Sequence, residues 1–187
     1  MSDYRRNRRQ QIIREAEGYL DLITVFTDQW SPSPELRDRI ALRTLDTLST
    51  IESPGSDQAY SLYLAGQALR TMEQFSDAIS VLRESADIDP ATIHVWLALG
   101  WCYKRIGRLD LAIESLEEAL SVNSREAIVH YNLACYWSLV NNAQHALYHL
   151  GVAFDIDHNF RDLVSDERDF DPIRSDPDFR MLTSVSV

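Results

Sequence analysis

Apolar residues recur along this chain at intervals of three and four, in runs separated by short polar punctuation. Ile12, Ile13, Ala16, Tyr19, Leu20, Ile23 and Phe26 share one face of a helix expected from Arg8 to Thr27. Ser31, Pro32, Ser33 and Pro34 interrupt it. Pro34 then opens a second helix at a position where a missing N–H costs nothing, with Ile40, Ala41, Leu45 and Leu48 as its inner stripe. Ser53 to Asp57, containing Pro54 and Gly55, end that helix. Three more pairs follow: 59–71 with 75–87, closed by Asp89 and Pro90; 92–106 with 109–122, turning at Gly107; and 125–140 with 143–156. The last pair turns at Asn141 and Asn142, residues that tolerate a left-handed backbone. Beyond Asn159 the period is lost. Asp171, Pro172, Asp176 and Pro177 punctuate short segments there, with Phe160, Leu163, Phe170, Ile173, Phe179 and Leu182 as isolated apolar anchors.

The three regular pairs repeat every 34 residues. In register, Gly66, Gly100 and Ala134 form one column, Leu69, Tyr103 and Trp137 the next, then Ala78, Ala112 and Ala146, Leu82, Leu116 and Leu150, and finally Ser85, Ala119 and Ala153. Small residues align with small, and large apolar residues with large. This pattern resembles the tetratricopeptide repeat, whose units are antiparallel helix pairs that stack into an array. In that family the eighth and twentieth positions are small because helices cross there, as Gly66, Gly100 and Ala134 and then Ala78, Ala112 and Ala146 are here. Proline at the thirty-second position is kept only at Pro90; Ser124 and His158 depart from it. The resemblance implies an all-α fold, a right-handed α-solenoid in one domain over 1–187. It divides into a degenerate N-terminal pair (1–58), repeats at 59–92, 93–126 and 127–160, and a C-terminal cap (161–187) that covers the last open face.

Composition fits an ordinary folded chain, with 45% hydrophobic and 25% charged residues. A formal net charge of -11 argues against nucleic acid, because phosphate binding needs clustered cations. The charge is unevenly placed: five arginines lie within residues 1–14, whereas the segment from Asp155 onward has nine acidic residues against four arginines. Arg5 to Arg9 read as a solvated helix start. Cys102 and Cys135 have no metal-ligand spacing and read as reduced packing thiols. No apolar run reaches the length of a membrane span, so the expectation is a cytoplasmic protein without membrane insertion.

The resemblance also implies that the first helix of each pair lines a concave groove, with the second, fifth, ninth and twelfth positions facing it. Those are Tyr60, Tyr63, Gln67 and Arg70; His94, Leu97, Trp101 and Lys104; and Ile128, Tyr131, Cys135 and Ser138, with Arg105 and Asn132 adjoining. Tyr60, Tyr63, Trp101 and Tyr131 supply stiff amphipathic area of the kind that anchors a partner. Together with Arg70, Lys104 and Arg105 they point to an apolar peptide with some acidic residues. The alternative is that the chain's own first helix or C-terminal segment covers these aromatics. The carboxylate clamp of chaperone-binding relatives is excluded, since its lysine, asparagine and arginine positions hold Tyr63, Gln67, Ala98, Ile128 and Asn132, and none of its cations is kept.

No catalytic set assembles, and no metal or cofactor is expected. His145 and His149 stand four apart without a third ligand, with His130 on another helix, and read as a solvated outward pair. The acidic run Asp162, Asp166, Glu167, Asp169 and Asp171 lacks the spacing of a calcium loop and reads as a solvated cap. The expected function is therefore non-enzymatic: a scaffold that binds a protein or peptide partner in the groove. Two alternatives are a dedicated chaperone for a secreted or aggregation-prone client, and a self-assembling block that forms homo-oligomers through its basic N-terminus and acidic C-terminus.

Overall fold

The computed structural model describes residues 2–24, 32–52 and 55–184, and every regular element among them is helical. In chain order these are α1 (Ser2–Thr24), α2 (Pro34–Ser49), a 3-10 turn (Gly55–Asp57), α3 (Gln58–Thr71), α4 (Phe75–Ile88), α5 (Ile93–Arg105), α6 (Leu109–Val122), α7 (Ala127–Leu139), α8 (Ala143–Ile156), α9 (Phe160–Leu163), a 3-10 helix (Arg168–Ile173) and α10 (Pro177–Ser184). The fold is all-α, of the solenoid class built from helix hairpins. The expectations placed on Phe26, Thr27, Ser31 and Pro54 lie outside the described residues. α1 begins six residues before the expected Arg8, since arginine is a good helix former and nothing in 2–7 breaks the helix. Arg9 ties it to the 3-10 turn through a 2.6 Å ion pair with Asp57.

The chain divides into two compact units, residues 1–91 and 92–187. In the first, the Ser33 hydroxyl accepts from the Leu36 N–H and caps α2 beside Pro34. Ile13 and Ala16 of α1 pack with Leu64 of α3, and Ile23, Ala41 and Ala68 form a second buried group nearby. α3 and α4 then close at the small columns. Gly66 is buried against Leu82, and Ala78 is fully buried. Ser85 stands where the later repeats have alanine, and it is tolerated because its hydroxyl donates to the Ala59 carbonyl at 2.7 Å.

The second unit repeats the scheme: Gly100 lies against Leu116, and Ala112, Ala119, Ala134, Ala146, Leu150 and Ala153 are buried. Each first helix in the three repeats ends with a residue of positive φ, namely Glu73 (60°), Gly107 (76°) and Asn141 (58°), again 34 residues apart. At each, the next N–H reaches back to a carbonyl one turn earlier: Gln74 to Leu69 at 3.0 Å, Arg108 to Tyr103 at 2.9 Å and Asn142 to Trp137 at 2.9 Å. Asn142 then caps α8, accepting from the His145 N–H at 3.2 Å.

Candidate functional site

In the first unit Tyr60, Tyr63, Gln67 and Arg70 stand at the helical spacing that keeps them on one side of α3, facing α1. They line a cleft of about 480 Å³ together with Glu17, Leu20 and Asp21 of α1. Tyr60 and Tyr63 stack with ring centroids 5.9 Å apart. The Tyr60 hydroxyl donates to Glu17, and burial followed by that carboxylate pushes its pKa above the ordinary phenol value. α1 thus adds a rim that the repeat columns did not reveal, and that rim is acidic.

In the second unit His94 and Arg105 are exposed, and Leu97 and Trp101 are partly so. The Arg105 guanidinium lies 5.1 Å from the centre of the Trp101 ring, a cation–π contact that stiffens this edge. The face of α7 differs from expectation. Tyr131 and Cys135, placed on an open groove by the sequence, are 5% and 2% exposed. The segment after α8 covers them: Phe160 packs against the Tyr131 ring at 5.0 Å, and Phe170 meets it edge-on at 5.7 Å. Ile128 and Asn132 remain partly exposed.

The same segment engages Lys104, whose ammonium pairs with Asp169 and lies 5.6 Å from the centre of the Tyr136 ring. Lys104 is therefore used within the chain. The acidic run is accordingly more than a solvated cap. Asp169 makes that pair, and Glu167 caps the 3-10 helix by accepting from the Asp169 N–H at 3.0 Å. Leu163, expected as an anchor, is 53% exposed; the neighbouring Val164 is buried in its place, beside Phe170, Ile173 and Phe179. Burial, reinforced by Glu167 and Asp169, raises the Cys135 thiol well above its usual pKa. Cys135, Glu167 and Asp169 bring their ligand atoms within 4.8 Å of one another, the one such grouping among the described residues. With the Lys104 ammonium already on Asp169, this arrangement reads as the seat of the docked segment.

The histidines also depart from an outward pair. His145 is exposed, stacked on Trp137 and bonded to Asn142. His149 turns inward to His130, with the two Nδ1 atoms 2.9 Å apart. His130 Nε2 lies 3.1 Å from the Ser124 carbonyl, to which it must donate, so its Nδ1 accepts from His149. Burial, then His130 and His145, lowers the His149 pKa to about 4. Nineteen residues separate the pair, and no local spacing signals it.

Residues 59–92 and 93–126 each match the family model of the tetratricopeptide repeat. A 55-residue stretch is 36% identical to anaphase-promoting complex subunit 3 of Dictyostelium discoideum, covering 29% of this chain and 6% of that protein. The chain therefore spans a small fraction of that relative's length. Among solved structures, a crystal structure of MamA superposes with a TM-score of 0.60 at 15% identity, covering 82% of this chain and 87% of that one. MamA AMB-1 gives 0.56 at 20% identity, covering 80% and 96%. At such identities the likeness is one of fold. Among the described residues, no helix is long and apolar enough to cross a membrane.

Proposed function

We propose that this chain, in which residues 59–126 match the tetratricopeptide-repeat model, is a non-enzymatic adaptor that holds segments of protein partners along the inner faces of its helix pairs. The observation that carries this reading is the docking of residues 160–173 on α7. There an acidic, aromatic segment covers residues that the sequence assigns to a groove, using Phe170 against Tyr131 and Asp169 against Lys104. A face that seats such a segment from its own chain has the chemistry to seat one from another. On this reading the α1–α3 cleft and the Trp101 edge are the surfaces left for a partner, with Tyr60, Tyr63, Gln67 and Arg70 in the first unit and His94, Leu97, Trp101 and Arg105 in the second.

Alanine variants separate the roles. Tyr63→Ala and Trp101→Ala are expected to weaken capture of a native partner about tenfold or more, with a modest fall in melting temperature for Tyr63→Ala, whose ring also packs against Ile13, Ala16 and Leu64. Tyr131→Ala is expected to lower stability, because that ring is buried inside the protein. Undiminished capture by both surface variants would count against the adaptor reading. A chaperone role would be marked by one client that precipitates without this protein and stays soluble with it.

A further inference from the structure

Arg5, Arg8 and Ile12 follow one another along α1 at spacings of three and four, so they share one face of that helix. With Tyr4 they line a groove of about 480 Å³ whose other wall includes Ile51 and Glu52, just past the end of α2. Arg9 also borders it, but its guanidinium is held by Asp57 at 2.6 Å. Arg5 and Arg8 differ: both are exposed, and among the described residues no ion pair engages either. Two guanidiniums against the single carboxylate of Glu52 leave the groove positive in a chain of net charge -11. Tyr4, 71% exposed, and the half-buried Ile12 and Ile51 form its apolar part. A cation in the first turn of a helix opposes the dipole, and like charges three apart repel, so helix stability does not account for this pair. An anionic occupant offsets both costs.

The matching chemistry lies on the second unit. Beyond Asp155, Asp162, Asp166, Asp171 and Asp178 are exposed, against Arg168 and Arg180. Asp171 is spent on Arg174, whereas among the described residues no ion pair engages Asp162 or Asp166. Those two carboxylates flank Leu163, which is 53% exposed. A large apolar side chain left open between carboxylates suits a groove with an apolar floor and cationic edges. A bare phosphate offers nothing to Tyr4, Ile12 and Ile51.

We propose that the chain associates head to tail, the groove of α1 in one copy taking the Asp162–Asp166 surface of a second copy. The carboxylates meet Arg5 and Arg8, and Leu163 meets the apolar part of the groove. The contact is heterologous, so each added copy brings one further surface of each kind, and copies extend in a row or close into a ring. It uses neither the α1–α3 cleft nor the Trp101 edge, and it stands whether or not those surfaces hold a peptide.

Sedimentation of the full chain over a range of concentrations tests it. The weight-average mass is expected to rise with concentration at about 0.1 M salt and to fall toward that of one chain at about 1 M, where the Debye length shrinks from about 10 Å to about 3 Å. Arg5→Gln with Arg8→Gln removes one surface, and Asp162→Asn with Asp166→Asn removes the other, each at little cost in helix propensity. Either double variant alone is expected to stay monomeric. Mixed in equal amounts they should give a discrete dimer and nothing larger, because one intact surface of each kind remains. A wild-type chain that stays monomeric at about 0.1 M salt, a mass unchanged at about 1 M, self-association of either variant alone, or a mixture that stays monomeric overturns the proposal. Equal masses for wild type and Arg5→Gln with Arg8→Gln, with binding to phosphatidylserine vesicles lost only in the variant, would give the groove to a lipid surface instead.

Discussion

A Cβ built on Gly66 would sit 2.5 Å from Leu82 Cγ, and one on Gly100 would sit 3.1 Å from Leu116 Cδ2 and 3.2 Å from the Ala112 carbonyl oxygen. Alanine in a helix is otherwise favoured over glycine by about 1 kcal/mol, so the two effects oppose each other. Overpacking a filled crossing costs about 1–3 kcal/mol and should win at Gly66. Gly66→Ala is therefore expected to lower unfolding free energy by about 1 kcal/mol. Gly18→Ala, with nothing within 4 Å of the new methyl, is expected to raise it by a few tenths to about 1 kcal/mol, and urea denaturation of both checks the contrast. His149 gives a pH signature. Its native pKa of about 4 lies below that of an unfolded imidazole, about 6.5, so the unfolded chain takes up the proton first. This group's contribution is present above pH 6.5 and is lost as pH falls toward 4; for a ring partly open to solvent the loss is about 1 kcal/mol. His149→Asn keeps a donor near Nδ1 and should remove that part of the slope in melts recorded between pH 7 and pH 4. The glycine columns were legible because both partners keep a fixed sequence offset; the imidazole pair was not, because its contact depends on how α7 and α8 face each other.

At the scale of elements, helices with a sustained apolar period could be read from the chain almost to the residue, as α6 and α8 were. The C-terminal segment could not. Its anchors follow no single period, so the slip from Leu163 to Val164 left no trace in the spacing, and where the segment docks is decided by Phe170 and Asp169 meeting residues 39 and 65 positions away. Phe170 is fully buried, and truncating it should cost about 3–5 kcal/mol locally. Since Cys102 and Cys135 are both buried, the native protein should react slowly with a thiol reagent such as DTNB. Phe170→Ala is expected to release the segment and accelerate modification of Cys135 while Cys102 stays slow, as read by mass spectrometry of the labelled peptides. Equal acceleration at the two cysteines would mean that the whole unit had opened instead.

For the molecule as a whole, the 34-residue register carried the repeat and the helical-hairpin fold, because it records steric demands met at each of the three regular hairpins. It was silent on which inner faces stay open. Net charge was equally blind to placement: a total of -11 conceals a groove edged by Arg5 and Arg8 and an acidic rim beside Tyr60. The central claim, that partners lie on the inner faces of the helix pairs, is tested most directly by photo-crosslinking in the native cell. A benzophenone side chain is placed at position 63, 101 or 148 in turn. Tyr148 is 65% exposed on α8, a second helix of its pair, and reports on a different surface. Adducts to a common partner from positions 63 and 101 and none from 148 are the predicted result. Adducts from 148 alone would contradict it.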